Sequence, residues 1–250
     1  MITIAKRQKD KVDILNDLRK KYPYASEAER NQWADEKIEK KLAKIRSEHP
    51  CATIIDLTSK SKAYIGPTKA DDDKENGLPA VYFSPFYPHR NIPVPGYDNI
   101  KATCVEAVWQ GLKVFQGAGV DFDTFRNATG RNIKRTVRRF GTPLGHAHEG
   151  QYLDYLSARE LIYLPTYKYM LDNIQDVQTM IGWLRNRIAK GEEFVFLDYN
   201  TNGDWRDLSS PLSHASLVKA YIENDYPDGS KPSDNSAKGS PKQDSLFPDL

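Results

Sequence analysis

Val105, Val108, Trp109 and Leu112 fall at i, i+3, i+4 and i+7, one apolar stripe that suits a helix packed into a core. Glu106, Gln110 and Lys113 share a second face at the same spacing, so an acid, an amide and a cation point one way. Glu106 has a second reading. Thr103 and Glu106 also spell a capping box, in which the carboxylate only bonds the backbone at the helix start. Spacing leaves both open.

Around this stretch, 250 residues leave room for one large domain or two small ones with a real core. A hydrophobic fraction of 39% and a mean hydropathy of −0.68 describe a chain with a polar surface. The net charge is only +2, so an anionic partner must be drawn by local clusters rather than by the overall field. Cys51 and Cys104 are too few for a disulfide framework and read as reduced thiols. No apolar run approaches membrane-spanning length, and the start lacks the hydrophobic region of a signal peptide. The expectation is a cytoplasmic protein with no membrane partner.

Ile2 and Ile4 alternate as in a short strand, and Val12, Ile14, Leu15 and Leu18 mark a helix that stops near Tyr22-Pro23. Ser26-Glu27-Ala28-Glu29 opens a charged, solvated helix to about Ser47. Residues 52–57 and 193–199 are compact β-branched or aromatic runs and read as buried strands. The acidic stretch Asp71–Gly77 lacks the downstream ligands of a calcium loop and reads as a plain loop. Residues 81–96 hold aromatics among four prolines, which predicts a rigid wall able to stack on a base or simply to cover the core.

Arg126, Arg131, Lys134, Arg135, Arg138 and Arg139 form the one basic cluster; Ile133 and Val137 give it an apolar side, which predicts a helix whose other faces carry the cations, a phosphate or nucleic-acid surface in preference to a merely solvated face. His146 and His148 lack a third partner, so no metal is expected. Aromatic helical spacing over Tyr152–Met170 is broken or bent at Pro165, and further helices are expected at 174–188 and 213–223. The 193–199 strand empties into the polar turn Asn200–Trp205. From about Tyr226 the composition cannot bury enough surface to fold, yet the chain ends in an apolar Leu246-Phe247 pair, the form of a docking peptide.

Glu106-x-x-x-Gln110-x-x-Lys113 resembles the signature of the NADAR, or YbiA-like, superfamily. Phe83-Ser84-Pro85-Phe86 is similar to its upstream aromatic element, and Asn202, Asp204 and Trp205 stand where it carries an Asn/Asp-and-Trp turn. Two positions depart from the family pattern: Arg206 follows Trp205 in place of glycine, and Ala107 follows Glu106 in place of a frequent histidine. The resemblance implies N-glycosidase chemistry, removing ADP-ribose from a nucleobase or cleaving a riboflavin-pathway intermediate. Separately, Gln243-Asp244-Ser245-Leu246-Phe247 resembles the pentapeptide that binds bacterial sliding clamps.

The reading is therefore a mainly helical α+β, NADAR-like fold with a small sheet: an N-terminal strand and helices at 1–50, the domain at 51–225, and a disordered tail at 226–250. Its expected function is hydrolysis of the N-glycosidic bond of an ADP-ribosylated or otherwise modified nucleobase, in DNA. Glu106 and Asp204 would be catalytic; Phe83, Ser84, Phe86, Trp109, Gln110, Lys113, Asn202 and Trp205 would bind substrate; Gln243, Leu246 and Phe247 would bind a clamp. No cofactor is needed. The alternatives are a non-catalytic clamp-tethered DNA-binding protein and an enzyme on free nucleotides.

Overall fold

The computed structural model describes residues 1–67 and 77–227; the tail peptide and all of the acidic 71–77 segment except Gly77 lie outside them. In chain order, β1 (Ile2–Lys6) leads to α1 (Lys11–Lys21) and α2 (Glu27–Glu48), then to β2 (Thr53–Asp56), β3 (Tyr64–Ile65) and β4 (Leu78–Pro79). A short 3-10 turn (Ala80–Phe83) precedes β5 (Ile92–Val94), β6 (Tyr97–Ala102), α3 (Val105–Gly111) and β7 (Lys113–Phe115). Next come α4 (Phe122–Phe125), α5 (Val137–Phe140), β8 (Pro143–His148) and β9 (Gln151–Leu153). One nearly continuous helix follows as α6 (Tyr155–Ala158), a π turn (Arg159–Tyr163) and α7 (Leu164–Asn173); α8 (Gln175–Ala189), β10 (Phe194–Asp198) and α9 (His214–Ile222) complete the described chain. The architecture is mixed α+β, with several small sheets where the sequence predicts one.

The three strands expected from β-branched runs form a single parallel sheet in the order β1-β10-β2. Residues 2–6 thus share a sheet with residues 53–56 and 194–198. Period-2 alternation sends β10 side chains both ways. Val195 and Leu197 meet Leu42 and Ile45 of α2, whereas Phe194 and Phe196 enter the main core. Helix α2 opens with the capping box that its sequence predicts, Ser26 accepting from the Glu29 N–H while the Glu29 carboxylate accepts from the Ser26 N–H.

All seven residues of α3 are buried, its polar ones included. A Cβ on Gly111 would lie 2.2 Å from the Phe125 ring, so this helix meets α4 at a distance only glycine allows. Pro165, near the start of α7, has no N–H for the Leu161 carbonyl and would crowd it in a regular helix. The chain answers with the π turn at 159–163, the irregularity that the sequence places at Pro165.

The basic segment is not the helix its spacing predicts. Asn127 accepts from the Thr129 and Gly130 N–H groups and donates to the Arg131 carbonyl. Gly130 and Asn132 then take positive φ values of 65° and 54°, which end any right-handed helix. Only the short turns α4 and α5 remain, and Val137, assigned to an apolar side, is 61% exposed.

Candidate active site

A cleft of about 530 Å³ opens beside α3 and the carboxyl end of β10, where ligands of parallel sheets commonly sit. Glu106 and Gln110 from α3, Asp198 from β10 and His214 from α9 all line it.

The capping reading of Glu106 does not survive. The N-cap of α3 is Cys104, whose Sγ accepts from the Ala107 N–H at 3.3 Å. Thr103 instead donates from Oγ1 to the Asn127 carbonyl and from its N–H to the Phe125 carbonyl. Glu106 is 7% exposed, and its Oε1 accepts from Gln110 Nε2 at 2.7 Å. The amide orientation is fixed from the other end: Gln110 Oε1 accepts from Lys113 Nζ at 3.1 Å and from the Arg135 N–H at 3.0 Å. The acid, the amide and the cation of the sequence motif are therefore one hydrogen-bonded chain.

Burial raises the Glu106 pKa; the Gln110 hydrogen bond and the charges of Lys134, Lys113 and His214 oppose that shift. Burial likewise lowers the Lys113 pKa, against the attraction of Glu106. Both groups are pushed towards their neutral forms, and proximity to each other resists this. A carboxyl group with a raised pKa, open to a cleft and held on one oxygen, is suited to general acid–base work.

The upstream aromatic element docks directly on this helix, because the Glu106 N–H donates to the Pro85 carbonyl at 2.8 Å. Ser84 and Phe86 line the cleft. Phe83 does not: it is fully buried, and its carbonyl accepts from Tyr167 Oη at 2.6 Å, so it is core rather than a stacking surface. Trp109 serves both purposes, walling the cleft on one edge and packing on the His146 ring at 3.9 Å between centroids. That histidine is buried with neither ring nitrogen hydrogen-bonded, and burial pushes its pKa down to about 3. Among the described residues no group of three or more His, Cys, Asp or Glu could hold a metal.

The third element is displaced from its predicted place. Asn202, Asp204 and Trp205 do not line the cleft. Asp204 is exposed and accepts from the Arg206 N–H at 2.9 Å; Asn202 ties the turn to the Asp207 and Ser210 carbonyls; Trp205 is buried in the core. The second carboxylate of the cleft is Asp198. It accepts from the Tyr199 N–H at 2.7 Å, Ser213 Oγ at 2.7 Å and the Ala215 N–H at 3.1 Å, at the start of α9. His214 spans from Asp198 Oδ2 (Nδ1, 3.2 Å) to the Leu57 carbonyl (Nε2, 3.0 Å), so both ring nitrogens are tied to fixed groups of the fold. Asp198 closes a run readable as a strand and His214 follows a readable cap, but nothing in the spacing joins them across 16 positions.

The basic residues divide. Arg126, Arg131, Lys134, Arg138 and Arg139 are exposed, with Lys134 Nζ 5.3 Å from the Phe86 ring at the cleft. Arg135 is 6% exposed, its guanidinium against the Phe115 and Phe140 rings and hydrogen-bonded to the Lys113 carbonyl. It braces β7 from the wall of the cleft.

A family model matches residues 37–218. The chain belongs to DUF6939, a family of unknown function. The matched span of the DUF6939 chain takes in Glu106, Gln110, Lys113, Asp198 and His214, and leaves out β1 and α1. No curated protein matches it.

Proposed function

We propose that this DUF6939 protein is an N-glycosidase that hydrolyses the bond between ribose and an ADP-ribosylated or otherwise modified nucleobase, in DNA. The observation that carries the reading is Glu106: buried at the head of the cleft, held by Gln110 on Oε1, and free of any capping duty. The resemblance to the NADAR superfamily adds to it, since two of its three motif elements meet at the Glu106–Pro85 hydrogen bond.

In this reading the C1′–N bond breaks with its electron pair going to the base nitrogen, and Glu106 steadies the positive charge that develops at C1′. The same carboxylate takes a proton from the water that adds to C1′ and returns it to the departing base, so ribose gains the hydroxyl and the base the hydrogen. Burial makes Glu106 a stronger base than an exposed glutamate. The role that the sequence suggests for Asp204 passes to Asp198, and Lys113 and Lys134 face the phosphates. Phe86 offers an aromatic ring to the base, and Trp109 the edge that walls the cleft.

A second reading, a DNA-binding protein without turnover, has its own support. Arg126, Arg131, Arg138 and Arg139 are exposed in the chain segment that also supplies Lys134 to the cleft. In both readings Gln243, Leu246 and Phe247, outside the described residues, would tether the protein to a sliding clamp. An enzyme on free nucleotides would need neither. We place the protein in the cytoplasm, in keeping with its two free cysteines; no helix among the described residues is long and apolar enough to cross a membrane. Incubation with ADP-ribosylated DNA and with free nucleotides, monitored for released ADP-ribose, separates the three.

A further inference from the structure

The π turn that accommodates Pro165 has a second effect. It aims Arg159 and Tyr163, its first and last residues, at the cleft. Arg159 is committed elsewhere: its guanidinium donates to the Trp205, Asp207 and Ser210 carbonyls and holds that loop in place. Tyr163 differs. Its ring is fixed edge-to-face against Trp109 at 5.6 Å and stacked on Tyr167 at 6.1 Å. Those contacts use only the ring, so the hydroxyl is the part of this side chain left for a ligand.

We propose that Tyr163 is a base-contacting residue of the cleft, its hydroxyl donating a hydrogen bond to an acceptor atom on the departing nucleobase. This rests on the N-glycosidase reading above. As the C1′–N bond breaks, negative charge spreads over the ring nitrogens and carbonyl oxygens of the base, and a fixed neutral donor stabilises it there. No proton leaves Tyr163; the one that restores the base comes from water by way of Glu106. The surroundings keep the phenol protonated, since burial and the nearby Glu106 and Asp198 carboxylates raise its pKa well above the ordinary value, with Arg159 opposing. A ring held from two sides by other aromatics places such a donor without further loss of side-chain entropy on binding.

The alternative is that Tyr163 is only a core aromatic whose oxygen is incidental. Tyr163→Phe separates the two, because phenylalanine keeps both ring contacts and loses only the hydroxyl. Full-length wild type and variant are compared on an ADP-ribosylated oligonucleotide and on the ADP-riboside of 4-nitrophenol, whose leaving group needs no donor. The expected result is a kcat lower by about 10- to 100-fold on the oligonucleotide and by less than about 3-fold on the nitrophenyl substrate, with unchanged Tm. Equal rates for the two proteins on the oligonucleotide, equal losses on both substrates, or a fall in Tm would each overturn the assignment while leaving the glycosidase reading intact. Absence of turnover of either substrate by wild type would overturn both.

Discussion

Gln110 donates from Nε2 to Glu106 Oε1 at 2.7 Å, and it can point only that way because its own oxygen is occupied by Lys113 and by the Arg135 backbone. One residue thus ties the candidate catalytic acid to a cation and to the start of the basic segment's last turn. Replacing Gln110 with Ala leaves the Arg135 N–H and Glu106 Oε1 buried without partners. The expected cost is about 1–3 kcal/mol for each group stranded, read as a lower urea midpoint with unchanged slope.

The buried carboxyl makes stability depend on pH. A folded-state pKa raised above the unfolded value of about 4.3 stabilises the fold below that value, and the stabilisation is lost as pH rises through the folded pKa. Glu106→Gln removes this dependence and keeps the side-chain shape. Its Tm relative to wild type should therefore climb between pH 4 and pH 8. A constant difference across that range would mean that Glu106 ionises as freely in the fold as in the unfolded chain.

Gly111→Ala tests how closely α3 meets α4. The new Cβ would fall 2.2 Å from the Phe125 ring, and the ring is itself buried. Overpacking of this kind costs about 1–3 kcal/mol, seen as a lower Tm by calorimetry; a Tm equal to that of wild type would show that α4 yields without cost.

Much of this is legible in the sequence, for reasons particular to each element. The α3 stripe, the Ser26 box, the β10 run and the Pro165 break are local signals, each set by neighbours within a turn or two, and each reappears in the fold. The basic segment misleads because its helical spacing ignores Asn127, Gly130 and Asn132, whose local hydrogen bonds and positive φ values outweigh the spacing of Ile133 and Val137. In the cleft, Glu106 and Gln110 are visible because four-residue spacing on one helix implies contact, and Lys113 follows Gln110 by three residues, just past the helix end at the start of β7. Asp198, Tyr163 and His214 are not, since three distant elements bring them together and no spacing records that.

The division among the arginines gives a paired expectation. Arg131, Arg138 and Arg139 changed together to Ala should weaken DNA binding and flatten its dependence on salt, by about 0.9 in log–log slope for each phosphate no longer neutralised, without change in Tm. Arg135→Ala should do the reverse. It strips a buried brace from the Lys113 carbonyl and the Phe115 and Phe140 rings, so Tm falls. Titration of a labelled duplex at several salt concentrations, with melting curves alongside, reads both; an unchanged salt slope in the triple variant would show that those charges only face solvent.

The most direct measurement is ADP-ribose released from an ADP-ribosylated oligonucleotide by wild type and by Glu106→Gln. Wild type should release it, and the variant, equally folded but unable to take a proton from water, should release at least about 100-fold less. Comparable release by both proteins, or none by wild type on DNA or on free nucleotides, would contradict the assignment of Glu106 as the catalytic carboxylate.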